Sequence, residues 1–137
     1  MRLWHYKLIP VLPKAMLVSQ WRECIAIKRQ WEKGTLKHRL VSYVMDYDRK
    51  YFSQYVGRLG NELIHRKINI NMDLYDEIRV FCIGNHWDFN IYDDFNYPEH
   101  NDRYLQQCYY NLQEKADRGI VSEEEWKNIE LLMDTLK

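Results

Sequence analysis

Arg22 and Glu23 stand side by side in the sequence, and Met1 and Arg2 begin it. A peptide α-amine is partly neutral near pH 7 and then acts as a nucleophile, and a carboxylate transfers protons. If the Met1 amine and Glu23 share one pocket bordered by cations, they would support covalent attack by the amine with proton transfer by the acid. For an Arg-Glu pair on a helix, the alternative is a solvated surface pair with no chemistry.

The first residues must be held in place if that amine is to act at a fixed position. Leu3, Trp4 and Tyr6 are apolar or aromatic, and leaving them in water would cost free energy. We therefore expect the N-terminus to be tied to the domain. The alternative is a segment that only buries two aromatic side chains.

The Arg-Glu pair lies in the first of five predicted helices. This helix is expected over residues 13–32, because Pro13 suits a first helical turn and Gly34 suits a C-terminal cap. Apolar side chains at helical spacing and capping residues predict the others. They are expected over residues 48–67, 73–84, 101–118 and from 122 onward, with caps at Asp48, Asp73 and Ser122, the last in a capping box.

Each predicted helix has an expected buried face, and residues 35–45 are expected to form a short helix or an ordered loop. Gly57 and Gly60 lower helix propensity and indicate a close approach between helices. The expected buried positions are Leu17, Trp21, Cys24 and Ile25 in the first helix; Tyr51, Phe52, Tyr55, Val56, Leu59, Leu63 and Ile64 in the second; Tyr104, Leu105, Cys108 and Leu112 in the fourth; and Trp126, Ile129, Leu132 or Met133, and Leu136 in the last.

Length and composition predict a single all-α domain over residues 1–137, with its helices packed around the first one. Hydrophobic residues make up 46% and charged residues 29% of the chain, which is typical of a globular protein. No apolar run approaches the roughly 20 residues that a membrane span needs. Three widely spaced cysteines form neither a disulfide framework nor a zinc motif, so we expect a cytoplasmic protein.

The zero net charge hides a strong asymmetry along the chain. Residues 1–70 contain 14 Lys and Arg against 5 Asp and Glu, whereas residues 71–137 contain 6 against 15. On the first helix Arg22, Arg29 and Lys33 share one face, and Glu23 lies beside it. A basic surface for a polyanion is one interpretation, and mutual neutralisation of the two halves in the folded protein is the other.

Residues 85–98 form a stretch of aromatic, Asn and Asp residues that predicts an irregular loop. It contains His86, Asp88, Asp93 and Asp94, but their spacing matches no zinc or calcium motif. We therefore predict neither a metal nor another cofactor. A hydrolase that uses His and Asp residues of the 86–100 region is the least favoured of the hypotheses.

Several stretches resemble the pyrimidine-dimer DNA glycosylases of the phage endonuclease V type, over about residues 1–118. The divergent last part, residues 119–137, is expected to add a C-terminal helix. The matching stretches are Met1-Arg2-Leu3-Trp4, Leu17 to Glu23, Asn61-Glu62-Leu63 with His65-Arg66-Lys67, Tyr97-Pro98-Glu99-His100 and Glu114-Lys115.

The resemblance implies a DNA repair glycosylase with AP lyase activity on double-stranded DNA that carries a pyrimidine dimer or an abasic site. In such proteins the chain's terminal amine attacks the sugar C1′ to form an imine, and the carboxylate aligned with Glu23 supports cleavage. Arg2 is bulky, so we expect Met1 to be retained. The implied site residues are Met1, Arg2 and Glu23 for catalysis, and Arg22, His5, Lys28, Arg29 and Lys115 for DNA binding.

The main alternative is a noncatalytic module that kept this fold for binding nucleic acid or protein. It would bind DNA in a salt-dependent way, or not at all, and would not nick a strand. A monomer is favoured, although the sequence gives no direct indication of the oligomeric state.

Overall fold

Five α-helices and two 3-10 helices make up the part of the chain that the computed structural model describes, residues 1–84 and 94–137. No β-strand occurs in those residues, so the all-α prediction is confirmed. None of their helices combines the length and apolar character needed to cross a bilayer. The α-helices are α1 (Lys14–Lys33), α2 (Arg49–His65), α3 (Met72–Ile83), α4 (Asp102–Asp117) and α5 (Glu123–Thr135); the 3-10 helices are Tyr6–Val11 and Ser42–Asp46.

The helix ends follow the capping residues closely. Gly34 ends α1 with φ 72°, a left-handed conformation that glycine adopts at little cost. Asp48 caps α2, and Ser122 with Glu125 forms the predicted capping box of α5. The predicted cap of α3 was wrong by two residues, because the side chain of Asn71, not that of Asp73, accepts the hydrogen bonds of the first turn.

Helix α2 packs against α1, α3 and both 3-10 helices. Glycines permit this close approach: a Cβ atom built on Gly60 would lie 3.6 Å from the Trp21 ring and 3.8 Å from the Tyr75 ring. The Trp21 and Tyr75 rings stack with their centroids 6.2 Å apart. At Gly57 the nearest atom to such a Cβ would be the Tyr75 hydroxyl, at 3.6 Å. The two glycines of α2 thus lie where α1 and α3 meet it, as the sequence indicated.

The predicted buried faces agree with the structure in the middle of each helix and fail near helix ends. The four predicted positions of α1 are all buried, and Ile129 of α5 is fully buried. However, Ile64 in the last turn of α2 is 54% exposed, and Leu136 after α5 is 42% exposed. The apolar pattern runs to the last turn of a helix, but the neighbouring element can end earlier. An apolar side chain in that last turn then stays exposed.

The N-terminus of α1 donates a hydrogen bond to a side chain from the other end of the chain. Pro13 precedes the helix and provides no side-chain cap. Instead the Oε2 atom of Glu125 in α5 accepts a hydrogen bond of 3.0 Å from the backbone N–H of Lys14. The Oε1 atom of the same carboxylate accepts from the backbone N–H of Ser122 at 3.1 Å. One carboxylate therefore caps two helices and joins the first to the last.

We predict that Glu125→Gln lowers the free energy of unfolding by about 1 kcal/mol, because an amide group presents N–H to one of the two backbone donors. Burial alone would raise the pKa of Glu125, but the hydrogen bonds from Ser122 and Lys14 outweigh burial and lower it. The stabilisation is therefore present above the ordinary carboxyl pKa and is lost as the pH falls through the lower folded-state value.

Urea unfolding at neutral and acidic pH measures this effect. Glu124→Gln is the matched control. Glu124 lies in the same first turn, and its substitution removes the same charge from the helix N-terminus. Equal destabilisation by the two variants at neutral pH would refute the capping role of Glu125.

Candidate active site

The first five residues form neither helix nor strand, yet they are largely buried. Leu3 is fully buried and Trp4 is 7% exposed. A buried segment without a strand partner still has backbone N–H and C=O groups that need hydrogen bonds. Here side chains from the three helices α1, α2 and α4 are the hydrogen-bond partners of these backbone groups. The predicted anchoring of the N-terminus is confirmed.

Gln20 of α1 makes the central contacts with this segment. Its Nε2 donates to the Arg2 carbonyl at 2.8 Å, and its Oε1 accepts from the Trp4 backbone N–H at 2.7 Å. The same Nε2 donates to Oε2 of Glu23 at 2.9 Å. A single buried amide therefore touches both the start of the chain and the predicted catalytic carboxylate.

Helices α2 and α4 hold the remaining backbone groups of the segment. The Tyr55 hydroxyl of α2 lies 2.6 Å from the Trp4 carbonyl oxygen, and the Tyr104 hydroxyl of α4 donates to the Leu3 carbonyl. Burial raises the pKa of both tyrosines, so their hydroxyls stay protonated and remain donors. Removal of either hydroxyl would leave a buried carbonyl without its partner.

Two histidines, one in the segment and one before α4, are neutral structural groups. Nδ1 of His100 accepts from the Tyr6 backbone N–H at 3.3 Å, and its Nε2 lies 2.8 Å from the Tyr43 hydroxyl. Burial, with the charge of His5, lowers the pKa of His100 to about 3. Burial also lowers the pKa of His5 to about 4, despite a hydrogen bond to the His100 backbone. His5 is 1% exposed and uncharged at neutral pH, so it does not suit the predicted contact with DNA.

Glu23 is half-buried and lies within the electrostatic reach of the Met1 amine. Burial raises the pKa of Glu23, and the positive charges of the Met1 amine and of His38 offset part of this rise. No direct ion pair joins the amine to the carboxylate among the ion pairs of the described residues. The amine and the carboxylate thus influence each other through space, without a direct hydrogen bond or ion pair between them.

Arg2 is half-buried, with its guanidinium 5.8 Å from the centre of the Trp4 ring. With the Asn111 amide turned so that its oxygen faces this guanidinium, both terminal nitrogens of Arg2 donate to it at 3.3 Å. Lys115 lies one helical turn beyond Asn111 on α4 and is also half-buried. Arg2 and Lys115 therefore border the same part of the molecule as the start of the chain.

The predicted cations of α1 divide into exposed and buried ones. Arg22 is exposed and belongs to no ion pair of the described residues, and Arg29 is exposed but 3.3 Å from Glu77. Lys28 is different: its side chain is 6% exposed and its Nζ lies 3.0 Å from Glu32 and 3.4 Å from Glu77. Two carboxylates already neutralise Lys28, so this position does not suit the phosphate contact that the sequence suggested.

The two charge interpretations each apply to part of the surface. Ion pairs do cross between the basic and acidic halves, as Glu77 of α3 does with α1. However, Arg22, Lys33, Lys37 and Arg39 are all exposed and take part in no ion pair of the residues described. The basic surface beside Glu23 is therefore only partly neutralised.

The least favoured alternative, a hydrolase that uses His and Asp residues of the 86–100 region, stays largely untested. His86, Asp88 and Asp93 lie outside the described residues, whereas His100 is buried among tyrosines. Within residues 1–84 and 94–137, no three His, Cys, Asp or Glu side chains converge to hold a metal ion.

Sequence reasoning missed Gln20 and Asn111, and it missed the hydrogen bonds of the Tyr55 and Tyr104 hydroxyls. Gln20 carried the clearest signal, since a glutamine three residues before Glu23 falls on the same side of α1 as buried Leu17 and Cys24. A polar side chain on a buried face needs a partner, but the sequence does not say which one. The tyrosines appeared only as apolar core positions, because their spacing does not reveal where the hydroxyls point.

The comparisons with known proteins bear on this site directly. The family model described as pyrimidine dimer DNA glycosylase matches residues 1–76, more than half of the chain. The matched region contains Met1, Gln20, Glu23 and the whole of α1 and α2. Neither a curated protein nor a solved structure matches the chain. With the family match over most of the site, the chain belongs to the pyrimidine dimer DNA glycosylase family.

Proposed function

We propose that the protein removes a damaged base from double-stranded DNA and then nicks the abasic strand, with the Met1 amine as nucleophile and Glu23 as the acid–base group. The observation that supports this most strongly is that the buried Gln20 amide donates to the Arg2 carbonyl, next to Met1, and to the Glu23 carboxylate, at 2.8 and 2.9 Å. Family membership supports the glycosylase step. The lyase step is our extension, based on the nucleophile and carboxylate at one site.

In the glycosylase step the amine nitrogen forms a bond to C1′ of the damaged nucleotide. The glycosidic C1′–N bond breaks, and its electron pair leaves on the base, which takes up a proton. The Glu23 carboxylate stabilises the positive charge that develops on the sugar. The attached nitrogen then loses a proton, and its lone pair expels O4′ from C1′. O4′ takes up a proton to become a hydroxyl, and a protonated imine remains between Met1 and the sugar.

In the lyase step the imine makes the proton on C2′ acidic. The Glu23 carboxylate accepts this proton, a C2′–C3′ double bond forms, and the bond from C3′ to the phosphate oxygen breaks. The strand is thereby nicked on the 3′ side of the lesion. Hydrolysis of the imine by water restores the amine. Glu23 must be ionised to act as this base, and the nearby amine and His38 favour the ionised form.

DNA binding would use the exposed cations that lie near Glu23 in the sequence or in the structure. Arg22 precedes Glu23 in α1, and Lys37 and Arg39 are exposed in the loop that contains His38. Such side chains neutralise phosphates without reading sequence, which suits recognition of damage in any sequence context. An enzyme that attacks C1′ must also distort the duplex, because the stacked bases shield the sugar.

The central prediction concerns the covalent intermediate. Borohydride reduction of the imine on an abasic duplex should link wild-type protein to DNA, and Glu23→Gln should greatly weaken base removal and strand cleavage. The amide keeps the size of Glu23 but transfers no proton. Denaturing gels measure the linked and nicked products, and intact-mass analysis of the linked peptide identifies the attached residue.

Glu32→Gln is a matched control on the same helix, because Glu32 is an exposed glutamate that pairs with Lys28. DNA binding by the wild type without any trapping or nicking would refute the catalytic proposal and favour the noncatalytic binding module.

A second prediction concerns pH. Because burial raises the pKa of Glu23, the acidic limb of strand cleavage on an abasic duplex should lie above the ordinary glutamate pKa. His38→Asn removes a positive charge that lowers the pKa of Glu23, so the limb should move to still higher pH. The exposed His65 gives the control variant His65→Asn, which should leave the profile unchanged. Identical profiles for both variants would contradict the assigned contact between His38 and Glu23.

A third prediction concerns salt. If Arg22 neutralises one phosphate, Arg22→Gln should reduce the slope of log affinity against log salt by about 0.9. Lys127→Gln removes an exposed cation from the acidic helix α5 and should leave the slope unchanged. Fluorescence anisotropy with an abasic duplex measures both slopes. Equal slopes for wild type and Arg22→Gln would exclude Arg22 from the interface.

A further inference from the structure

Gln20 is a fully buried polar residue whose two N–H donors and whose oxygen all have hydrogen-bond partners. An uncharged side-chain amide offers two N–H donors and two acceptor lone pairs. The donors go to the Arg2 carbonyl and to Glu23, at 2.8 and 2.9 Å. The oxygen accepts from the Trp4 N–H at 2.7 Å, and it lies 2.9 Å from the Tyr55 hydroxyl, which donates its one proton to the nearer Trp4 carbonyl. Few side chains could replace it without leaving a buried group unpaired.

We propose that Gln20 is the positioning residue of the site: it holds the start of the chain and the Glu23 carboxylate in one fixed arrangement, so that amine and acid face the same substrate atom. This inference rests on the proposed function. Gln20 touches no reacting atom itself and acts through the groups on either side of it.

The contacts with the backbone fix the path of the chain on both sides of Leu3. Arg2, whose carbonyl Gln20 binds, is the residue next to Met1, and Trp4 is held two residues further on. The Met1 amine is therefore one residue away from a buried anchor, although the Met1 side chain is 37% exposed. A nucleophile placed this way avoids much of the entropy cost of finding its target.

The hydrogen bond from Gln20 to Glu23 determines which carboxylate oxygen of Glu23 is available for proton transfer. Gln20 donates to Oε2, whereas Oε1 of Glu23 accepts no hydrogen bond from the described residues. The orientation of the amide is fixed in turn, because the Trp4 N–H requires an acceptor and the Arg2 carbonyl requires a donor. Oε1 is thus the oxygen left to exchange a proton with the sugar.

The test replaces Gln20 by glutamate, which has the same size but puts a second carboxyl group beside Glu23. Two carboxylates at this distance cannot both ionise readily, so the pair must hold a proton to higher pH. In Gln20→Glu the acidic limb of strand cleavage should therefore move up by about one pH unit or more. The pKa of Glu23, measured by carbon NMR in the free protein, should rise with it.

Tyr55→Phe is the matched control. It removes the hydrogen bond to the Trp4 carbonyl in the same buried segment, but it leaves the Gln20 donor to Glu23 in place. It should lower stability and leave the pH profile unshifted. Thermal melting separates loss of fold from loss of positioning in each variant.

Gln20→Met, which keeps the side-chain length without polar atoms, supplies a second test if the glutamate variant does not fold. Trapping should fall about a hundred-fold, as expected for a misplaced nucleophile. Two results would overturn the role of Gln20 and leave the proposed function intact. One is an unshifted Glu23 pKa in Gln20→Glu while the wild-type protein is trapped on DNA, and the other is full trapping by a folded Gln20→Met variant. A shifted Glu23 pKa with no trapping by wild type would refute the proposed lyase chemistry and leave the coupling of Gln20 to Glu23 intact.

Discussion

A buried chain start without a strand partner is the constraint on which the rest of this structure depends. In a sheet, neighbouring strands would satisfy the backbone groups of such a segment, but an all-helical fold offers no strand. Gln20, Tyr55 and Tyr104 supply the missing partners, each from a different helix. The helices must therefore meet at one point, and the polar core at that point is specified as strictly as the apolar packing around it.

The same constraint explains why the ionisable Glu23 side chain is held in a fixed position. The glutamine that satisfies the backbone also binds Glu23, so the carboxylate is fixed by the contacts that fix the chain start. Burial makes ionisation of Glu23 more difficult, and the Met1 amine and His38 make it easier. The balance leaves a carboxyl group with a raised pKa close to the buried start of the chain.

The sequence predicted the helices well because their signals are local. A glycine after the last apolar residue ended α1 as expected, and only the cap of α3 was displaced, to Asn71. Glu23 was predicted from its neighbours and from a family resemblance. Gln20 was not, because its role consists entirely of contacts with groups distant in space or unremarkable in sequence. The exposure of Leu136 was missed for a similar reason, since no local pattern shows where the covering element stops.

The spacing of these contacts along the chain also determines when the site can form during synthesis. The start of the chain binds His100 and Tyr104, 94 and 101 residues away, and α1 is capped from 111 residues away. A ribosome adds about 5–20 residues per second, so the first residues wait on the order of 5–20 seconds for their partners. Until then an apolar stretch and an unpaired backbone remain accessible to chaperones.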